Sequence, residues 1–471
     1  MKEKNRNSYL LKNTIIFAIG NFSTKFISFF LVPLYTNCLT TAEYGKVDLL
    51  YTICTFLYPL LTLNISEAVF RFSMDKDENN NNVLSIGFFC TVIGIILGLF
   101  SIPILKMFSD YSDFSYVFCI YLITMIISQT LLISLKGRER LKQYTFGNFI
   151  NTLFIAIFNI IFLMKLKMGI NGYFFAYIIS NFIVIIYTLI VGNFYDTIKN
   201  FKIDKSLFKK MTKYSIVLLP TSFMWWIINS SDRIMITSMI AASANGIYAI
   251  SYKIPSLLTT VASIFNQAWL FSAVAEKDNI DNETYTNKIF NFLLVLITLT
   301  GIFILIIIKP LFSIYVANDY YVAWMYVPFL IFGFVFMTSA TFLSTSYNVY
   351  KDSKGFLFSG LVGAISNIIL NFVFIPIFNV YGAALATCMS YIIVFLYRLF
   401  DTRKYVKINI NISLVFLVMS LFICCLLTYI NCFIGVVLQI IVFFTLLVIY
   451  KDYWVLLFNK IIAKINVKIK K

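Results

Sequence analysis

About fourteen long apolar runs occupy most of this 471-residue chain. Each has roughly the 20 residues that an α-helix needs to cross the hydrocarbon core of a bilayer. Only 13% of the residues are charged, about half the share of a soluble domain. The sequence therefore predicts an all-α, multi-pass membrane protein. The predicted spans lie near 13–37, 46–70, 83–107, 114–135, 144–165, 169–192, 211–232, 245–271, 286–309, 321–347, 355–378, 381–399, 409–430 and 432–450.

Lysine and arginine set the predicted orientation. Most of the 38 basic residues fall in the N-terminus, the C-terminus and the alternate loops that begin after the second span. Basic loops stay in the cytoplasm, so both termini are predicted to be cytoplasmic. The net charge of +17 then reflects these loops, and we expect no nucleic-acid partner. The first run is too long for a signal-peptide core, so we expect it to remain as a membrane helix.

Similar residues recur in the two halves of the chain. The matching positions are Gly45 with Gly246, Tyr51 with Tyr252, Gly172 with Gly382, Ser180 with Ser390, Tyr187 with Tyr397, and 159–163 with 371–375. Parallel repeats suit alternating access around a site between them. We predict an N-lobe of six helices (1–195), a basic cytoplasmic loop (196–212), a C-lobe of six helices (213–407) and a C-terminal helix pair with a basic tail (408–471).

An ordered set of short motifs resembles one transporter family. The motifs are Tyr44-Gly45 with Asp48, the segment 67–72, Pro220, Asn229 with Asp232-Arg233, the segments 246–248 and 252–255, Gln267-Ala268-Trp269, and 381–387. Together with the span number, they resemble the polysaccharide-repeat flippases (Wzx type) of the multidrug/oligosaccharidyl-lipid/polysaccharide exporter (MOP) superfamily. The resemblance covers nearly the whole chain and does not specify the sugar.

The resemblance implies two six-helix lobes that form a V around a central cavity, as in MATE transporters. It implies that an undecaprenyl-diphosphate-linked oligosaccharide is moved between leaflets, for surface polysaccharide synthesis. Membrane lipid, a polysaccharide polymerase and glycosyltransferases are the implied partners. The sequence has no P-loop signature, so an ion gradient, the membrane potential or product removal would drive transport.

Charged residues within the first two spans are candidate substrate contacts. Lys25 lies deep in the first span, where an unpaired cation is costly. It would contact a diphosphate or pair internally, for example with Glu67. Glu67 and Arg71 are four residues apart and share a helix face. They either pair at the interface, or Arg71 meets the phosphate on entry while Glu67 acts as a proton-sensitive gate.

A second charged group lies in spans seven and eight. Asp232 and Arg233 are adjacent, so their side chains diverge by about 100° on a helix and will not satisfy each other fully. We predict Arg233 and Lys253 as cavity cations, with Asp232 orienting one of them through an Asp232–Lys253 pair or as a gate. The alternative is solvation at the membrane interface.

Tryptophans and prolines are concentrated in the same two spans. Trp225, Trp226 and Trp269 would present flat faces to sugar or lipid, although an interfacial belt is the commoner role of tryptophan. Pro220 and Pro255 are hinge candidates, because neighbours or water satisfy the carbonyls that a proline frees in a membrane helix.

Competing functions predict different residues. A MATE-type drug/cation antiporter would place acids in its cavity, whereas embedded bases here at least match the acids. A lipid II flippase is closer in chemistry and is not separated by charge. A membrane glycosyltransferase would need catalytic acids or bases and a large loop, and a scaffold would not need embedded charge. The chain has no histidine and its eight cysteines lack metal-site spacing, so we expect no enzyme, metal or cofactor.

Overall fold

The structure is a computed structural model that describes residues 23–75, 77–277, 279–430 and 433–453. Within these ranges the chain is helical, and nine helices are long and apolar enough to cross a membrane, or ten with one bent pair. The start of the first predicted span, up to residue 22, and the basic tail from 454 lie outside the described residues. The all-α, multi-pass prediction is confirmed, and the number of about fourteen spans stays a prediction.

Each predicted span from the second onward coincides with helix. The helices are α1 (23–38), α2 (Thr41–Leu61), α3 (Ile65–Ser73), α4 (Asn80–Gly98), α5 (Ser101–Lys106), α6 (Ser115–Gly137), α7 (Leu141–Asn159), α8 (Gly169–Gly192), α9 (Tyr195–Lys199), α10 (Lys205–Met239), α11 (Ala242–Lys253), α12 (Pro255–Ala275), α13 (Asn282–Tyr315), α14 (Val327–Val349), α15 (Ser353–Phe378), α16 (Val380–Asp401), α17 (Ile412–Leu427) and α18 (Phe433–Ile449). Short π or 3-10 turns join several of them.

Two predicted spans are broken rather than continuous. The second bends by 59° between α2 and α3, where Leu63 and Asn64 have φ of 52° and 53°. Pro59 lies one turn earlier, and its carbonyl accepts the Asn64 N–H at 2.7 Å. Asparagine tolerates the left-handed region better than most residues. The eighth span is divided at Ile254 because Pro255 is better placed at a helix start than inside a helix.

The chain forms two compact units. The first runs to Ile250 and includes Tyr315–Tyr320; the second comprises Ser251–Ile314 and the chain from Tyr321 onward. In the first unit α10 packs against α2 and α3, and its Met211 is completely buried in an apolar cluster with Val69 and Val83. The lobe boundaries at 195 and 213 stay a prediction.

The predicted repeat has a matching packing contact in each unit. In the α7–α8 hairpin, a Cβ added to Gly172 would lie 3.2 Å from the Phe162 Cβ and 3.3 Å from its carbonyl oxygen. In the α15–α16 hairpin, a Cβ added to Gly382 would overlap the Phe374 carbonyl. Phe162 and Phe374 are themselves matched in the predicted repeat. In both hairpins a glycine permits close helix approach at the same place.

Candidate functional site

A buried ion pair joins α2 to α10 in the first unit. Arg233 Nη1 lies 2.8 and 3.0 Å from the two carboxylate oxygens of Asp48. The Arg233 side chain is 15% exposed and that of Asp48 is 6% exposed. Each charge is stabilised by the other, because an ion withdrawn from water needs compensation by a partner.

Asp232 extends this ion pair into a charge cluster. Asp232 is 1% exposed. Its carboxylate accepts hydrogen bonds from the Tyr248 hydroxyl at 2.5 Å and from the Arg233 backbone N–H at 3.0 Å. The adjacent Asp232 and Arg233 side chains are therefore directed to different residues, Tyr248 on α11 and Asp48 on α2. We call Asp48, Asp232, Arg233 and Tyr248 the buried charge cluster.

A glycine crossing brings α2 and α11 together beside this cluster. A Cβ on Gly45 would overlap the Ala242 carbonyl, and a Cβ on Gly246 would overlap the Thr41 carbonyl. The Asn245 side-chain amide also donates to the Gly45 carbonyl at 2.9 Å. The two backbones thus touch, one helical turn before Asp48 on α2.

Six tyrosines from four helices lie in the same unit: Tyr35, Tyr44, Tyr51, Tyr121, Tyr173 and Tyr177. Their ring centroids are 4.6 to 6.5 Å apart in contacting pairs, and the Tyr173 hydroxyl donates to that of Tyr177 at 2.9 Å. Such distances are typical of aromatic packing. Tyr44, Asp48 and Tyr51 recur at helical spacing on α2, so a helical wheel places them on one face.

The charged residues predicted as substrate contacts in the first two spans form no ion pair with one another among the described residues. Lys25, Glu67 and Arg71 are all exposed. Within the described ranges no ion pair joins Glu67 to Arg71 or Lys25 to Glu67. Lys253 is partly buried at the end of α11 in the second unit, and the Asp232–Lys253 pair stays a prediction.

The three predicted tryptophans lie in different settings. Trp226 donates to the Thr52 carbonyl at 3.3 Å and to the Thr55 hydroxyl at 3.2 Å, so it fastens α10 to α2. Trp269 is 5% exposed and stacks on Phe342 at 4.9 Å inside the second unit. Both side chains thus make packing contacts. Trp225 is partly buried on α10.

The two predicted hinges also differ. Pro220 is exposed inside the unbroken helix α10, whereas Pro255 is the first residue of α12, directly after a break. Within the described ranges, no group of three or more Cys, Asp and Glu side chains is arranged to hold a metal ion.

Asp48 was predicted only as part of a motif and not as a site residue. Tyr248 and the six tyrosines were not predicted as site residues either. Asp48 is the partner that holds Arg233, 185 positions away in sequence. The available signal was an acid inside an apolar span, which is costly unless it is paired.

Residues 10–276 match the family described as polysaccharide biosynthesis protein. A protein of Haemophilus influenzae (strain ATCC 51907 / DSM 11121 / KW20 / Rd) named "Lsg locus putative protein 1" is 21% identical over 325 residues, 66% of this chain and 79% of that protein. The region that matches the family, residues 10–276, includes the whole buried charge cluster.

Two solved structures share the fold. A lipid II flippase MurJ in an inward closed conformation has a TM-score of 0.69 and 16% identity, covering 93% of this chain and 99% of that one. An inward-facing multidrug resistance MATE family transporter of the MOP superfamily has a TM-score of 0.66 and 12% identity, covering 85% and 98%. The MATE-like fold predicted from the motifs is confirmed.

Proposed function

Because the chain belongs to the polysaccharide biosynthesis protein family, we propose that it is a flippase for undecaprenyl-diphosphate-linked oligosaccharide repeat units in a bacterial cytoplasmic membrane. The observation that carries the proposal is the buried charge cluster, which lies wholly within the family match. Charge at membrane depth is costly and is usually kept for a substrate or ion pathway.

Arg233 is the central residue of the proposed mechanism. A guanidinium offers two parallel N–H donors, and these fit a phosphate as well as they fit a carboxylate. Asp48 holds Arg233 through Nη1, and a diphosphate competes with that carboxylate for the guanidinium. Lys25, Arg71 and Lys253 are the further proposed substrate cations.

The proposed cycle is alternating access by two lobes. The sugar and diphosphate occupy a cationic cavity, while the polyprenyl tail remains in lipid. Substrate binds the inward- and outward-facing states with different affinity, because equal affinity would shift neither population. Asp48 biases the cycle by releasing or recapturing Arg233. Asp232, which accepts the Arg233 backbone N–H, is the proposed orienting and coupling acid, and Glu67 is the proposed gate on the cytoplasmic side. Glycosyltransferases supply the substrate and a polymerase consumes it.

Deletion of the gene in its own host tests this function. Lipid-linked repeat units should accumulate facing the cytoplasm, and surface polysaccharide should be lost. Restoring the wild-type gene should reverse both changes. Normal surface polysaccharide with new sensitivity to cationic drugs would instead favour a drug antiporter. Accumulated lipid II would indicate that the substrate is a peptidoglycan precursor.

A further inference from the structure

Two cavities lie next to each other in the second unit. One, of about 180 Å³, is lined by side chains of α13, α14, α16, α17 and the segment just before α17, all of them apolar except Ser339. The other, of about 230 Å³, is lined only by polar side chains, including Asn291, Lys288 and Glu283. Apolar cavities of about 150 Å³ hold benzene, so the first has room for part of a hydrocarbon chain.

Both cavities are built from the same two segments. On α13, Asn287 and Asn291 line the polar cavity, and Leu294, on the same helix face, lines the apolar one. In the segment before and into α17, Asn409 and Asn411 line the polar cavity whereas Ile410 and Leu414 line the apolar one. At 1.5 Å per residue, about 10 Å separates Asn287 from Leu294 along the helix. This is comparable to the distance between the headgroup and the acyl chains of a membrane lipid.

The shared segments are fixed to each other at the polar end. The Asn287 side chain donates to the Lys407 carbonyl at 2.9 Å and accepts the Asn409 backbone N–H at 2.7 Å. The predicted topology puts both the start of α13 and the 402–411 connection on the cytoplasmic side. At the opposite end, the apolar cavity borders Val415 and Met419, which are 50% and 51% exposed on the surface of α17.

We infer that these cavities together bind one glycerophospholipid of the cytoplasmic leaflet, whose headgroup carries one phosphate and free hydroxyl groups, as in phosphatidylglycerol. Lys288 matches the phosphate, and the asparagine amides, which both donate and accept, match hydroxyl groups. Glu283 also accepts from a hydroxyl and disfavours a second negative charge. The inference stands apart from the transport proposal, because this site uses none of the buried charge cluster.

The experiment measures lipid binding by the full-length protein. Detergent-purified protein, stripped of lipid, is offered equal amounts of phosphatidylglycerol and phosphatidylcholine, and retained lipid is counted by native mass spectrometry. One phosphatidylglycerol should be retained with about tenfold preference, the worth of one hydrogen bond to a charged group. Val415→Trp should abolish retention by filling the cavity. Lys288→Gln should weaken retention of both lipids, because both carry the phosphate, whereas Glu283→Ala should remove the preference, because only phosphatidylglycerol has hydroxyl groups for that carboxylate.

Ile412→Trp is the matched control. Ile412 is 89% exposed at the start of α17 and lines neither cavity, so the same substitution there should leave retention unchanged. Equal retention of both lipids, equal loss in the Val415→Trp and Ile412→Trp proteins, or no retained lipid would each overturn the inference. Stronger retention of a polyprenyl diphosphate than of phosphatidylglycerol would overturn it as well.

Discussion

The first and second units each contain a cluster of carboxylates, a cation and tyrosines, in opposite surroundings. In the first unit the Asp48–Arg233 pair is buried. In the second, Lys404 bridges Asp352 and Asp401 at 3.1 Å each, and its side chain is 47% exposed. We call Asp352, Asp401 and Lys404 the exposed charge cluster. The Tyr347 and Tyr405 hydroxyls donate to its two carboxylates at 2.7 and 2.8 Å.

The two clusters contain the same chemical groups but differ in their exposure to water. The exposed charge cluster links the connection before α15 to the end of α16, and water replaces any contact that is lost. The pKa of Asp352 is lowered to about 2 because the Gly355 N–H, Tyr405 and Lys404 all stabilise the carboxylate. In the buried charge cluster no such exchange with water is available, so loss of one partner leaves an uncompensated charge. Because a buried ion pair is in general weak evidence for stability, the burial of this cluster is a reason to assign it a function.

The largest effect is expected for Arg233→Met. It leaves the Asp48 carboxylate buried without its guanidinium, which costs about 3–5 kcal/mol of the free energy of unfolding. Thermal unfolding in detergent measures the loss. The matched control is the double variant with Asp48→Leu, because apolar replacement of a whole buried pair is often neutral. The double variant should regain stability and still fail to restore surface polysaccharide in the deletion strain. A double variant that restores surface polysaccharide would show that the Asp48–Arg233 pair is not needed for transport.

The next effect concerns the tyrosine donors. Tyr248→Phe removes a hydrogen bond to the buried Asp232, and we expect a loss of about 1–3 kcal/mol because that acceptor remains out of water. Tyr347→Phe removes the equivalent donor from Asp401, which is 26% exposed, and should cost less because water replaces the hydroxyl. Denaturant titration of both variants gives the comparison. Equal losses would mean that burial does not distinguish the two clusters.

The glycine crossing should matter next. Gly246→Ala adds a Cβ onto the Thr41 carbonyl, and overpacking of this kind costs about 1–3 kcal/mol. Gly98→Ala is the control, since its added Cβ would meet Leu122 at an ordinary 3.7 Å. Cysteine crosslinking between Thr41 and Ala242 positions should weaken only in the first variant. An unchanged crosslink would show that α2 and α11 tolerate separation.

The smallest effect is expected for Lys404→Gln. An exposed ion pair contributes little to the free energy of unfolding, and salt screens it. The contribution of Asp352, whose pKa is lowered, is present above its ordinary value of 3.8 and is lost as the pH falls towards about 2. Unfolding scans between neutral and acidic pH, with and without added salt, measure both effects. A loss comparable to that of Arg233→Met would contradict the comparison.

Local sequence signals predicted much of the fold. Within the site they predicted one residue of a contact, but not the partner that it contacts. Span length and charge scarcity were enough to predict the helices, and the matched glycines Gly172 and Gly382 lie where the structure has close helix approaches. Arg233 and Asp232 were visible as charges inside an apolar run, but Asp48, the partner of Arg233, is supplied by tertiary packing. The bend at Leu63–Asn64 was not predicted, because hydropathy is averaged over a whole span and does not detect a backbone turn.

The most direct test of the central claim is sugar translocation in proteoliposomes. Undecaprenyl-diphosphate oligosaccharide with a fluorescent sugar is placed in both leaflets, and an impermeant quencher reports the fraction that reaches the outer surface. We predict rapid, complete quenching with the wild-type and Lys404→Gln proteins, and quenching limited to the outer leaflet with Arg233→Met. Wild-type liposomes that behave like protein-free ones, or equal rates for wild-type and Arg233→Met, would contradict the account.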